Sequence, residues 1–169
     1  MNEITPRVAR MRWIHAQDMA GILAIERESF RVPWARDHFR QFLSRREGIG
    51  QVLLAETGGP LAFMLYEISA EQYHLVSLAV AEVHRRQGLG RKMMAHLARQ
   101  CTLHKSRRSI RVEVPERNLP SQLFFQAAGF QAVEVLRDHY QDPDEDAFRF
   151  VWHADQPRIP PRSQSEQGS

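Results

Sequence analysis

The stretch Val83-His84-Arg85-Arg86-Gln87-Gly88-Leu89-Gly90-Arg91-Lys92-Met93-Met94 decides how this chain is read. A β-like run, Tyr73 to Val80, precedes it, and an amphipathic helical pattern, Leu89 to about His104, follows it. The two glycines therefore sit on a strand-to-helix turn. Gly88 and Gly90 carry no Cβ, so a ligand can approach their backbone closely. The first turn of a helix leaves N–H groups without partners, and its dipole favours an anion there. Arg85, Arg86 and Arg91 add positive charge, and the turn reads as a pyrophosphate cradle. Two other cradles are excluded. The dinucleotide fingerprint needs a third glycine where Met93 stands, and the P-loop needs Gly-Lys-Ser/Thr where the chain has Gly90-Arg91-Lys92-Met93.

Working outward, Gln51 to Thr57 and Leu61 to Ser69 read as strands joined by a hairpin at Gly58-Gly59-Pro60. Before them, a helix over about 35–46 places Ala35, Phe39, Phe42 and Leu43 on one stripe. A Pro-punctuated loop, Ser29 to Trp34, links it to an earlier helix that runs from Asp18 to about Glu28. A short first strand covers 7–14. On the other side, Ser109 to Val114 reads as a strand and Leu119 to Ala128 as a helix, with Pro120 in its first turn and Gly129 as its stop. Phe130 to Leu136 and Ala147 to His153 read as a last hairpin across Arg137–Asp146. The order β-α-α-β-β-β-α-β-α-β-β predicts an α/β (or α+β) fold, a mixed sheet of about seven strands flanked by about four helices. Residues 1–153 form the expected domain. From Ala154 the chain is rich in Pro, Ser, Gln and Gly, and 154–169 reads as a flexible tail.

Composition narrows the setting. No apolar run approaches the ~18 residues that span a bilayer, and Met1 to Trp13 has no apolar signal core, so a cytoplasmic protein is expected. The single cysteine, Cys101, excludes an intrachain disulfide framework and reads as a packed thiol on the helix after the glycine turn. Net charge is +3, which suits an anionic cofactor without demanding a nucleic acid. The clusters Arg45-Arg46 and Lys105-Ser106-Arg107-Arg108 lack interleaved aromatics and read as solvated faces. His15, His38, His96, His104 and His153 show no metal-ligand spacing and read as surface residues, so no metal is expected.

The turn, read as Arg85-x-x-Gly88-x-Gly90, resembles the acetyl-CoA motif of the GNAT acetyltransferases. Five further segments are similar to the ribosomal-protein-alanine N-acetyltransferases (RimI type) and related N-terminal acetyltransferase subunits. They are Phe30-x-x-Pro33-Trp34, Arg111 to Asn118, Phe125 to Phe130, Arg137-Asp138-His139-Tyr140 and Glu145-Asp146-Ala147, and the resemblance covers roughly residues 4–153. It implies acetyl-CoA as cofactor. Leu78, Ala79 and Val80 would line the pantetheine arm through their backbone. Arg86, Gln87, Gly88, Leu89, Gly90 and Arg91 would hold the pyrophosphate, and Asn118 and Phe125 would add cofactor contacts. Glu113 would be the general base. A departure falls at Phe125, where the family has a tyrosine that protonates the leaving thiolate. A water or Tyr140 could supply that proton, and an alkyl thiol with a pKa of about 8.5 is already a fair leaving group. The alternative readings are an exposed strand acid paired with a neighbouring Arg for Glu113, and plain buried strand residues for Leu78 and Val80.

His74 is a second candidate for chemistry, grouped by period two with Val76, Leu78 and Val80. Its strand is expected beside 109–114, so that His74 approaches Glu113; a partly exposed strand-end histidine is the alternative. The acceptor, a peptide or protein N-terminus with ribosomal proteins as candidates, would enter between Phe30–Trp34 and the hairpin near His139-Tyr140. Neither nucleic acid nor membrane is an expected partner, and a monomer or weak homodimer is expected. A lysine or small-amine acetyltransferase, a non-catalytic acyl-CoA-binding protein and an RNA- or ribosome-binding module are the alternatives.

Overall fold

The expected hairpin closes where Gly58 takes a φ of 94°, a conformation that costs glycine little. Ala55 and Gly59 are joined across it by a 2.9 Å N–H to carbonyl bond. The computed structural model describes residues 8–141 and 144–155. Among them are seven strands: β1 Val8–Trp13, β2 Gly48–Ala55, β3 Pro60–Ile68, β4 Gln72–Val80, β5 Ser109–Pro115, β6 Gln131–Gln141 and β7 Asp144–His153. The four α-helices are α1 Met19–Ser29, α2 Arg36–Ser44, α3 Leu89–Leu103 and α4 Leu119–Ala127. One sheet holds the strands in the order β1-β2-β3-β4-β5-β7-β6, and β4–β5 is its parallel pair.

Each face of the sheet has its own core. Met93, Met94, Leu97 and Cys101 of α3 and Phe125 of α4 pack with Leu75, Val112, Val114 and Phe150. Ile22 and Ile25 of α1 and Phe39 and Phe42 of α2 pack with Val52, Phe63, Leu65 and Ala79 on the opposite face. A chain with apolar stripes on four helices and a central sheet has few other ways to bury both.

Three details depart from the sequence reading. β2 begins at Gly48, not Gln51. A Cβ on Gly48 would stand 2.1 Å from the Phe42 carbonyl, and one on Gly50 2.7 Å from Ile14 and Leu43. With no Cβ at Gly48 and Gly50, α2 and the loop after β1 press against the strand. The last hairpin is longer than expected. Its pairing slips between Leu136 and Tyr140 and resumes at Tyr140↔Glu145. Asp138 takes φ 49° there, and the Asp146 carboxylate accepts from the Asp138 N–H (2.9 Å) and from Arg137 (2.5 Å). Finally, Ala154 and Asp155 remain tied to the domain. The Ala154 N–H donates to the Arg108 carbonyl (2.8 Å) and Asp155 accepts from the Arg108 guanidinium. The rest of the expected tail, 156–169, lies outside the described residues.

Candidate active site

β4 and β5 pair only from Gln72↔Ser109 to Leu75↔Val112. Beyond that, β4 runs on to Val80 and β5 to Pro115, and the sheet splits. A bulge starts the split. Leu65 opposes Ser77 while Tyr66 opposes Leu75, so Val76 is an added residue. A bulge bends its strand and resets which side chains face which side. Leu78 and Val80 thus pack on the α3–α4 face, whereas Val76 and Ala79 join the α1–α2 face. The period-two grouping of His74 holds for Val76 and fails for Leu78 and Val80. The ladder also fixes the backbone. Ala81 donates to the Leu61 carbonyl at 2.9 Å, and alternation along the antiparallel pair then turns the N–H and C=O groups of Leu78 and Val80 toward the open side.

The glycine turn follows. Glu82–His84 makes a single 3-10 turn. Arg86 (φ 64°) and Gly88 (φ 80°) then take the left-handed conformation, and Gly88 caps α3 without a side-chain bond to its first N–H groups. Such turns make concavities for anions. A Cβ on Gly88 would meet nothing within 4 Å, so the turn is open to a ligand. Arg86 and Arg91 are exposed, and the Gln87 Oε1 is buried without a partner. These features fit the extended thioester arm and pyrophosphate of acetyl-CoA. Arg85 departs from its expected place in the cradle. Its Nε donates to the Val80 carbonyl (3.0 Å), and its Nη2 to the Glu28 carbonyl (3.2 Å) and Ser29 Oγ (3.1 Å). Asn118 caps α4, its Oδ1 accepting from the Ser121 N–H at 3.2 Å. Phe125 is 5% exposed and packs on Phe124, Phe130 and Phe150, so it is a core ring rather than an open wall.

On the other face the charged residues converge. Ile110, Val112 and Val114 point into the α3–α4 core, so Arg111 and Glu113 point the opposite way. Parallel pairing sets His74 beside Arg111, and His74 Nε2 lies 2.5 Å from Glu113 Oε2. Arg149 stands opposite Glu113 in the β5–β7 register, and its Nε donates to Oε1 at 3.0 Å. Arg111 Nε lies 3.9 Å from Oε1. Burial raises the Glu113 pKa. The bonds from His74 and Arg149 and the charges of His74 and Arg111 outweigh burial and bring it down to about 2. Glu67, opposite His74 across β3–β4, places Oε2 3.4 Å from His74 Nδ1 and Oε1 2.9 Å from Arg45. Arg111 Nη2 lies 3.5 Å from the same Nδ1. The Tyr140 hydroxyl is 3.5 Å from the Glu113 carbonyl, and burial, with the charges of Glu113 and Glu145, pushes its pKa up to about 12.

A cavity of about 750 Å³ adjoins this cluster, lined by Pro33, Trp34, His38, Phe42, Arg45 and Tyr140 among others. Trp34 packs edge-on to Phe39 (5.6 Å) and tilts against Phe42 (5.8 Å). Phe30 packs on the α1–α2 core beside it. His139 is exposed, its ring perpendicular to Tyr140 at 4.9 Å. The expected acceptor residues thus gather on one face, with Tyr140 joining the cavity to Glu113. Glu67, Arg111 and Arg149 belong to the site without having been singled out. Their signal is cross-strand register, which the chain order does not display. His96 is another departure: it is half-buried on α3, its Nε2 within 2.9 Å of Gln100 Nε2 and 3.4 Å of Gln51 Nε2. Among the described residues no His, Cys, Asp or Glu group could hold a metal ion, and no helix is long and apolar enough to cross a membrane.

A sheet split in this way leaves room for an extended ligand between β4 and β5. The profile of the Acetyltransferase (GNAT) family matches residues 19–130, and the chain belongs to that family. It is an N-acetyltransferase that uses acetyl-CoA. The ribosomal protein bS18-alanine N-acetyltransferase of Escherichia coli K12 is 24% identical over 136 residues, covering 79% of this chain and 90% of that protein. The crystal structure of the ribosomal-protein-S18-alanine N-acetyltransferase from Escherichia coli superposes with a TM-score of 0.76 at 21% identity, over 90% of this chain and 97% of the other. Arabidopsis thaliana NAA60 in complex with a bisubstrate analogue gives 0.74 at 15% identity, over 85% and 97%. These likenesses show the fold, the GNAT mixed sheet.

Proposed function

We propose that the acceptor is the α-amine of a peptide or protein N-terminus, with ribosomal proteins the first candidates to test. The observation that carries this is the cavity between Trp34, Arg45 and Tyr140, wide enough for the first residues of a chain and adjoining the His74–Glu113 pair. The names of the relatives support the same reading. Acetyl-CoA supplies the activated acetyl group and leaves as the thiol.

The chain's part is to bind, orient and move protons. The acceptor must lose a proton before it can attack. An α-ammonium has a pKa of about 7.7–8.0 and a lysine about 10.4, so at equal pH the neutral α-amine is roughly 300-fold more abundant. His74 and Arg149 hold Glu113 well below the usual carboxylate range, so direct transfer to it from the α-ammonium is unfavourable. The His74 imidazole has a second ring nitrogen beside the one that meets Glu113. Glu113 can only accept a hydrogen bond when ionised, so it keeps the His74 proton on Nε2, and Nδ1, beside Arg111 Nη2 and Glu67 Oε2, takes the amine proton through a water. Glu67 Oε2, 3.4 Å from Nδ1, then accepts from the imidazolium. Outward-facing N–H groups at Leu78 and Val80 orient the thioester carbonyl. Tyr140, pushed up to about 12, is a weaker acid than a thiol and a poor donor to the leaving sulfur, which departs as the thiolate and takes up its proton from solvent afterwards.

Incubating the protein with acetyl-CoA and a library of free-amine peptides, while following thiol release, tests the reading. Turnover on a subset of N-termini is expected. CoA binding without turnover on any of them would contradict it.

A further inference from the structure

Arg85 occupies the first position of the cofactor motif, yet its bonds point away from the turn. Nε is bonded to the last carbonyl of β4, at Val80, and Nη2 to the Glu28 carbonyl and Ser29 Oγ at the end of α1. A second bond ties the same two elements, the Glu82 N–H donating to Glu28 Oε2 at 3.0 Å. The last turn of α1 is in turn tied to the acceptor loop. Glu26, 4% exposed, accepts from the Trp34 N–H at 2.9 Å through Oε1, and its Oε2 is buried without a partner. Burial raises the Glu26 pKa, against the lowering effect of that single bond. A buried acceptor in this position gives up its one donor only at a cost, so Trp34 follows α1. The connections run from the glycine turn through Arg85 and Glu82 to Glu28 and Ser29, and from Glu26 to Trp34.

We infer that Arg85 is a positioning residue that couples the cofactor turn to the acceptor loop 30–34 through the last turn of α1. The inference rests on the acceptor-site reading above only in naming what the loop receives. Ordering the turn around a pyrophosphate fixes residues 80–86. The strut passes that order to Glu26 and Trp34, leaving less freedom to lose when the acceptor enters. The coupling is reciprocal, so an occupied acceptor site tightens cofactor binding by the same factor.

Hydrogen exchange of the full chain with and without saturating CoA, read by mass spectrometry, tests this without any acceptor. In the wild type, exchange across 28–36, which contains the Trp34 amide, should slow at least threefold when CoA binds. In Arg85→Met, CoA affinity by calorimetry should stay within threefold and the turn 85–91 should still be protected. The response of 28–36 should be lost. Ser29→Ala, which removes the side-chain acceptor of Arg85 Nη2, should reduce the same response and decides the matter if Arg85→Met fails to fold. A tenfold or greater loss of CoA affinity in Arg85→Met would make Arg85 a phosphate ligand and overturn the inference. So would a wild-type loop indifferent to CoA, or a response undiminished in the variants. Because no acceptor is present, an error about the acceptor leaves the expected exchange pattern unchanged.

Discussion

Replacing Glu113 by glutamine keeps the shape of the side chain and removes its charge. In the folded protein that carboxylate is brought from 4.5 to about 2, chiefly by His74 and Arg149 once burial is overcome. The side chain is only 9% exposed, so solvent screening is slight. A shift of that size corresponds to ~3 kcal/mol of preference for the charged form. Because the folded pKa lies below the unfolded one, this stability is present above the unfolded value and is lost as pH falls through the folded value. About 2 kcal/mol of it should be gone by pH 3. Urea unfolding followed by circular dichroism should therefore find Glu113→Gln about 3 kcal/mol less stable than wild type at pH 7, with the gap narrowing between pH 5 and 3. A gap that is absent, or constant with pH, would refute the geometry assigned to the pair. Kinetics supply the functional half. Loss of a general base costs roughly 10²–10⁴-fold. His74→Gln and Glu113→Gln should each lower kcat by ~10²-fold or more, with CoA affinity within a few-fold. The double variant should be little worse than the poorer single one, since the two act as a unit. Additive losses would mean that they act separately.

Gly88→Val places a branched Cβ at φ 80° in the open mouth of the cradle; CoA affinity should fall at least tenfold by calorimetry, and unchanged affinity would remove the turn from the cofactor site. Phe125→Tyr adds a hydroxyl to a ring that is 5% exposed; it should cost about 1–3 kcal/mol of stability without raising kcat, and a clear rate gain at unchanged stability would show that the ring borders the reacting atoms. Tyr140→Phe removes a hydroxyl held at about 12; kcat should stay within about tenfold, and a 10²-fold loss would restore Tyr140 as the acid.

The order of strands and helices was legible because periodicity and turn residues are local. Gly58, Gly88 and Gly129 mark turns with positive φ, and Pro120 with Asn118 marks the start of α4. What stayed hidden depends on register. The Val76 bulge inverts the facing of everything after it in β4, and a period-two count passes over an inserted residue. Glu67 and Arg149 meet the His74–Glu113 pair because of strand pairing across the sheet, and a single sequence carries no sign of which charged residue ends up opposite which. The Arg137–Asp146 stretch looked like a loop because its polar residues lie on an edge where one side faces solvent. Arg85 looked like a phosphate ligand from its motif, and only the folded chain shows its donors engaged with Val80, Glu28 and Ser29.

The central claim is transfer to an α-amine, and one peptide carrying both a free N-terminus and an internal lysine tests it within a single molecule. After incubation with acetyl-CoA at pH 7.5, fragmentation by tandem mass spectrometry reports which nitrogen carries the acetyl group. The account predicts acetyl on the N-terminal nitrogen, lost in His74→Gln and Glu113→Gln alike. Acetyl on the lysine nitrogen, with the N-terminus left free, would contradict it.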